Sequence, residues 1–181
     1  MKKKLLPILL FAVSTTAFSQ IKFDLTESTA KWSGKKITNQ AHSGSLKFSS
    51  ASLSLDNQNE PRGIFTVDMT SLTNEDLTGE YKQKLEGHLK SEDFFAVDKH
   101  TSASLTVTKV ANNIASGVLT IKDISHPISF SLIKSNEGYI ADLVFDRSKY
   151  DVRYASGSFF KNLGDKLILN EIELSAKLKF N

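Results

Sequence analysis

Four histidines, no cysteine and twelve phenylalanines delimit the chemistry open to this 181-residue chain. His42, His88, His100 and His126 fall at spacings that match no compact ligand motif, and His88 has no partner histidine four residues further along its helical stretch. With thiolates also missing, no metal site is expected, nor any disulfide or thiol nucleophile. Serine is plentiful, yet no G-x-S-x-G elbow occurs, and Ser156-Gly157-Ser158 lacks that pattern. The acid pairs Glu75-Asp76 and Glu92-Asp93 fall at expected helix starts, where the helix dipole accounts for them. His88, beside Leu89, is expected to cap its segment through a hydrogen bond. There is no glycine-rich phosphate loop, and no cofactor is expected. Nothing in these patterns asks for an enzyme.

What remains is apolar. Phenylalanine supplies 12 of the 17 aromatic residues, and it can line a cavity without demanding a hydrogen-bond partner. Trp32, Phe48, Phe65, Phe94, Phe95, Phe130 and Phe145 are the aromatic candidates for a binding wall. Val67, Met69, Leu85, Leu89, Leu105, Leu132 and Leu143 are the aliphatic candidates. The same residues could instead fill a solid core, and strand phase alone does not separate the two. Arg147 is the candidate for a polar end, because guanidinium grips phosphate or carboxylate bidentately. The alternative is an ion pair with Asp146 or Asp93 that ties strand to loop. Arg153 and Tyr154 follow closely in sequence.

These side chains need elements to position them. From Ile21 onward, apolar residues alternate with Ser, Thr and Lys: Phe65, Val67 and Met69; Leu105 and Val107; Ile128, Phe130 and Leu132; Ala141, Leu143 and Phe145; Ile172 to Phe180. Turn residues separate the runs at Asp56 to Asn59, Asn112-Asn113, Asn136 to Gly138 and Leu163 to Asp165. The pattern predicts a mainly β fold of about eight antiparallel strands, closed as a barrel that leaves room for side chains or one small ligand. A two-sheet sandwich has the same period. One segment differs: Asn74 to Phe95 reads as a helix, capped by Thr73 or Asn74, with Leu77, Tyr81, Leu85 and Leu89 as an apolar stripe. Gly79 and Gly87 each weaken it by about 1 kcal/mol. Such a helix needs tertiary packing, either as a plug at the barrel end or as a lid that moves.

The first residues read as an export signal. Lys2 to Lys4 precede an apolar run from Leu5 to Val13, and Ala17-Phe18-Ser19 suits cleavage before Gln20. The run is too short for a stable membrane anchor. One domain is expected over 20–181. Without the three signal lysines the chain carries 20 basic and 20 acidic residues, so no strong field remains to recruit nucleic acid.

Several ordered motifs resemble one family. The runs VDMTSLTNEDL at Val67 to Leu77 and KLEGHLKSEDFF at Lys84 to Phe95 are similar to the YceI-like periplasmic lipid-binding proteins. So are GVLTIKDISHPISF at Gly117 to Phe130, FDRSKYDVRYASGS at Phe145 to Ser158 and FFKNLGDKLILNEIEL at Phe159 to Leu174. KWSGKKI at Lys31 to Ile37 and AHSGSLKF at Ala41 to Phe48 fit the opening strands, and a Bacteroidetes-type branch looks closest. The resemblance implies a lipocalin-like antiparallel barrel with a helix beside it and an apolar tunnel for polyisoprenoid chains or other long amphiphiles. It also implies a signature of Leu89, Asp93, Phe94, Phe95, Asp146 and Arg147. Ala96, Thr101 and Asp123 stand where the family usually has aspartate, proline and glycine.

The resemblance therefore implies a periplasmic carrier of a polyisoprenoid, isoprenoid quinone or fatty-acid derivative. Separately, a barrel with apolar openings has reason to form a homodimer that shields them. Two other classes stay open: a filled-core stress or interaction protein acting through its surface, and an isoprenoid-modifying enzyme using Asp68, Asp146 and His42.

Overall fold

The computed structural model describes residues 20–55 and 61–181. The expected signal segment, residues 1–19, and the turn expected at Asp56 to Asn59 lie outside the described residues. The strands are β1 (Gln20–Ile21), β2 (Phe23–Lys36), β3 (Ala41–Leu55), β4 (Pro61–Asn74), β5 (Ser102–Ala111), β6 (Ile114–Ile121), β7 (Ile124–Lys134), β8 (Gly138–Asp146) and β9 (Ile168–Phe180). One helix, α1 (Gly79–Lys90), lies between β4 and β5. Neighbours in sequence pair antiparallel from β2 through β9, and β9 pairs back onto β2, so eight strands close into a barrel. The short β1 adds one further pairing, onto the end of β3. Closure excludes the sandwich and pairs both edges of each of the eight barrel strands.

Tight turns hold the meander. Asn112-Asn113 and Lys122-Asp123 both take positive φ at two successive residues, the conformation that matches the twist of a two-residue hairpin. Asparagine and aspartate tolerate it, which explains how Asp123 serves where glycine is usual. Close strand approach is settled by Gly44. A Cβ there would lie 1.8 Å from the Thr73 carbonyl oxygen and 2.8 Å from the Trp32 ring. Its absence lets the Trp32 indole donate to that same carbonyl at 3.2 Å.

The helix is shorter than the sequence predicts, 12 residues from Gly79 to Lys90. Thr73 and Asn74 do not cap it, because β4 runs through them, paired with Ser45 and Gly44. Asn74 is fully buried and spends its amide on Ser43 O, Asp76 Oδ1 and the Leu77 amide. Gly79 marks the helix entry with φ +58, so it turns the chain rather than weakening an interior. Glu92-Asp93 follows the helix end, and Glu92 pairs with Lys99 at 2.6 Å. The apolar stripe is also incomplete. Leu89 is buried and Leu85 half-buried, but Tyr81 is 76% exposed.

One aspartate device recurs. Asp24, Asp68 and Asp146 each accept from the backbone and hydroxyl of a Thr or Ser two residues on. The first two lie at breaks in strand register, and the third caps the turn after β8. This is local side-chain capping of an irregular backbone.

Candidate functional site

The two barrel ends differ. At the end where β9 finishes, Phe23, Phe65, Tyr139 and Phe180 meet edge-on or stacked, with centroid separations of 5.7 to 6.4 Å. These rings stopper the lumen. At the other end lie the β2–β3 hairpin, α1 and the long connection from β8 to β9. Between the ends is a cavity of about 190 Å³.

The wall follows the strand phase. Trp32 comes from β2, Phe48 from β3, and Phe65, Val67 and Met69 from β4. Leu105, then Phe130 and Leu132, then Leu143 and Phe145 continue round the barrel from β5, β7 and β8. Leu85 and Leu89 reach in from α1, and Phe94 and Phe95 from the loop after it. Fourteen of the fifteen residues singled out from the sequence thus face one space. The sequence reading passed over Leu46, Leu72, Leu119, Ile121, Ile172 and Leu174, which also line it. Strand phase marks five of them as well as it marks Val67; Leu72 is out of phase with Phe65, Val67 and Met69 and faces inward only because the β3–β4 register shifts after Asp68. Of the polar lining Lys36, Gln40 and His42, only His42 was among the sequence candidates, because the hairpin lip breaks the alternation.

Arg147 is the fifteenth residue, and the structure corrects its expected place. It is fully buried and does not line the cavity. Nε donates to Leu169 O at 3.1 Å, Nη1 to Val152 O at 2.9 Å and Nη2 to Ile168 O at 3.0 Å. The guanidinium carbon lies 5.6 Å from the centroid of the Phe94 ring. Burial lowers its pKa to about 10, opposed by the charge of Asp146, so it stays protonated at neutral pH. The guanidinium thus spends its donors on backbone carbonyls, and the alternative ion pair to Asp146 or Asp93 is not formed. Instead, Arg147 ties the β8–β9 connection to the start of β9, and Asp146 caps its own turn.

The histidines are dispersed. His42 Nδ1 meets Asp76 at 2.7 Å, His100 Nδ1 meets Asp123 at 2.8 Å, and His126 Nε2 meets Lys149 O at 3.0 Å. His88 does not cap through its ring, which stands edge-on against Tyr154 at 4.3 Å and Phe94 at 5.2 Å. Among the described residues, no group of three metal-ligating side chains is present. Asp68 and Asp146 serve their local turns, so the structure does not gather them with His42 inside the lumen. Hydrogen bonds from Thr70 hold the Asp68 carboxyl below its ordinary range, against slight desolvation.

The α1 segment is held to the barrel by a residue absent from the predicted set. Glu86 Oε1 accepts from Thr73 Oγ1 at 2.6 Å and from the Asn74 amide at 2.8 Å. Lys90 Nζ adds a bond to Thr70 O at 2.9 Å.

A closed eight-stranded barrel around an apolar cavity matches what the sequence motifs imply, and the YceI-like domain model matches residues 21–180. The chain belongs to the YceI-like family. This YceI-like barrel is similar in fold to BcnA of Burkholderia cenocepacia, with TM-score 0.64 and 19% identity over 87% of this chain and 98% of that one. It is also similar to a polyisoprenoid-binding domain from Saccharophagus degradans implicated in plant cell wall breakdown, with TM-score 0.60 and 13% identity over 91% and 100%. The YCEI protein of Campylobacter jejuni matches over the full length of both chains, with TM-score 0.51 and 17% identity. No curated protein matches this YceI-like chain in sequence.

Proposed function

We propose that this YceI-like protein is a periplasmic, non-enzymatic carrier of a long apolar amphiphile: a polyisoprenoid, an isoprenoid quinone or a fatty-acid derivative. The observation that carries the reading is the lumen itself, whose wall is hydrocarbon from the ring stopper to the hairpin lip. The ring cluster gives the tail a blind end, and Leu85 and Leu89 of α1 close over the other. Membership of a binding-protein family and a fold neighbour described as polyisoprenoid-binding support the same reading. Periplasmic placement follows from the expected cleavage before Gln20, with the mature domain over 20–181. Among the described residues, no helix is long and apolar enough to cross a membrane.

A surface-acting protein with a solid core is the competing reading, and the cavity weighs against it. The proposal extends to a homodimer that covers the mouth, since Phe159, Phe160 and Ile37 lie exposed at that end. Sedimentation velocity on the mature chain tests this, and a monomer at tens of micromolar removes it.

The deciding experiment is native mass spectrometry of the mature protein purified from periplasm without detergent, followed by lipid extraction. A stoichiometric long-chain adduct is expected. A bare mass that stays bare after adding isoprenoids and fatty acids would overturn the carrier.

A further inference from the structure

With Arg147 withdrawn into the wall, the charge near the opening must come from other residues. We propose that Lys36, Gln40 and His42 form an anion site at the lip, which holds the carboxylate or phosphate head of the bound amphiphile; this rests on the carrier reading above.

Lys36 shares the strand phase of Trp32 and Gly34, so its side chain turns to the lumen side where β2 ends. His42 stands opposite Gly34 in the β2–β3 register and lines the same space. Gln40 lines the cavity while exposed to solvent, which places the opening beside this hairpin. Lys35 also touches the lining, but its ammonium pairs with Glu173 at 2.8 Å. Lys36 differs: its partner is an amide oxygen, Gln40 Oε1, at 3.2 Å.

The two acids that follow β4 beside His42 are already engaged. Asp76 accepts from Ser43 N at 2.7 Å, Asn74 Nδ2 at 2.6 Å and His42 Nδ1 at 2.7 Å. Glu75 takes the Ser45 hydroxyl at 2.6 Å and Lys31 at 3.4 Å. The Asp76 contact orients the imidazole, and Nε2 bonds no protein group among the described residues. An anion here meets one ammonium, one amide and one oriented imidazole, while its tail enters hydrocarbon. Charge-assisted hydrogen bonds at a half-open lip avoid most of the desolvation that a buried ion would suffer.

The test compares heads on identical tails. Dodecanoic acid against dodecanol, and farnesyl phosphate against farnesol, are titrated into the mature protein by displacement of a neutral fluorescent probe. The charged member of at least one pair should bind about tenfold tighter, equivalent to about 1.4 kcal/mol. The pair that shows the larger ratio identifies carboxylate or phosphate. Lys36→Gln should collapse that ratio, and His42→Gln should reduce it. Lys109→Gln, a like loss of charge near the far end of β5, should retain it. Equal affinities for charged and neutral heads in the wild type would overturn the anion site and leave the carrier standing. So would a ratio that survives both lip variants. Failure of all four compounds to bind would overturn both readings.

Discussion

Replacing Arg147 by lysine distinguishes a guanidinium that holds the fold from one that grips cargo. Three carbonyls, those of Val152, Ile168 and Leu169, each receive a separate guanidinium nitrogen at 2.9 to 3.1 Å. An ammonium is a point donor and cannot span acceptors arranged for a planar fork. Hydrogen bonds from a charged group contribute about 1.5–3 kcal/mol each, so losing two of the three predicts destabilisation of about 3–6 kcal/mol. Against a total stability of roughly 5–15 kcal/mol, that is a large fraction. Urea unfolding followed by the emission of Trp32, the single tryptophan, gives the loss directly as a lowered midpoint at unchanged slope. Trp32 also lines the cavity, so the same signal reports ligand binding to the protein that remains folded. That affinity should stay within about twofold of wild type, because Arg147 does not reach the lumen. A loss of stability below about 1 kcal/mol together with a tenfold fall in affinity would refute the structural role and restore the head-group contact.

Gly87→Ala should stabilise the protein by about 0.5–1 kcal/mol, because the added methyl meets nothing within 4 Å and the helix gains propensity; a differential scan showing no rise in melting temperature would count against it. Ala141→Phe should fill the lumen, lowering affinity for a fluorescent fatty acid more than about tenfold while melting changes little, since the space is already there. Hydrogen bonds from Thr73 and Asn74 hold the Glu86 carboxyl below its ordinary 4.5, against slight desolvation. Its stabilisation is complete above that value and is lost as pH falls through the lowered one, so melting should be flat near neutrality and drop in acid. Glu86→Gln should already melt lower at pH 7 and show a shallower acid slope; an unchanged profile would mean the tie between α1 and β4 contributes nothing.

The barrel was legible because period-two alternation survives in nearly every strand, and the residues facing the cavity are those the alternation selects. The helix boundary was not. Thr73 and Asn74 carry the composition of a cap, but their backbone pairs with β3, and that pairing depends on Gly44, thirty residues upstream. Arg147 was misplaced for a related reason. A lone arginine after a strand says nothing about carbonyls twenty residues away, and Ile168 and Leu169 become its partners only when β9 docks beside β8. Lys36 and Gln40 carry no signal in the sequence, because the hairpin from Lys36 to Ala41 is where the apolar faces end.

The size of the cavity sets how cargo length should matter. At about 190 Å³ it is little larger than the ~150 Å³ engineered cavity that holds benzene, and smaller than the ~300 Å³ at the low end of small-molecule sites. A chain of several isoprene units therefore enters only if lining side chains move. Each buried methylene contributes about 0.8 kcal/mol, so affinity should rise roughly fourfold per carbon while the existing space is filled. Beyond about ten carbons each added group must displace packed neighbours, and the slope should fall without reaching zero. The stacked rings at the far end resist that displacement. The α1 end, where Leu85 is only half-buried and Tyr81 stands in solvent, does not. Titration calorimetry of fatty acids from C8 to C18 reads the slope, and locking α1 to the barrel by a disulfide between engineered cysteines should flatten the longer half alone. An affinity that stops rising at ten carbons in the unlocked protein would make the cargo short, and would remove the polyisoprenoid from the list of ligands.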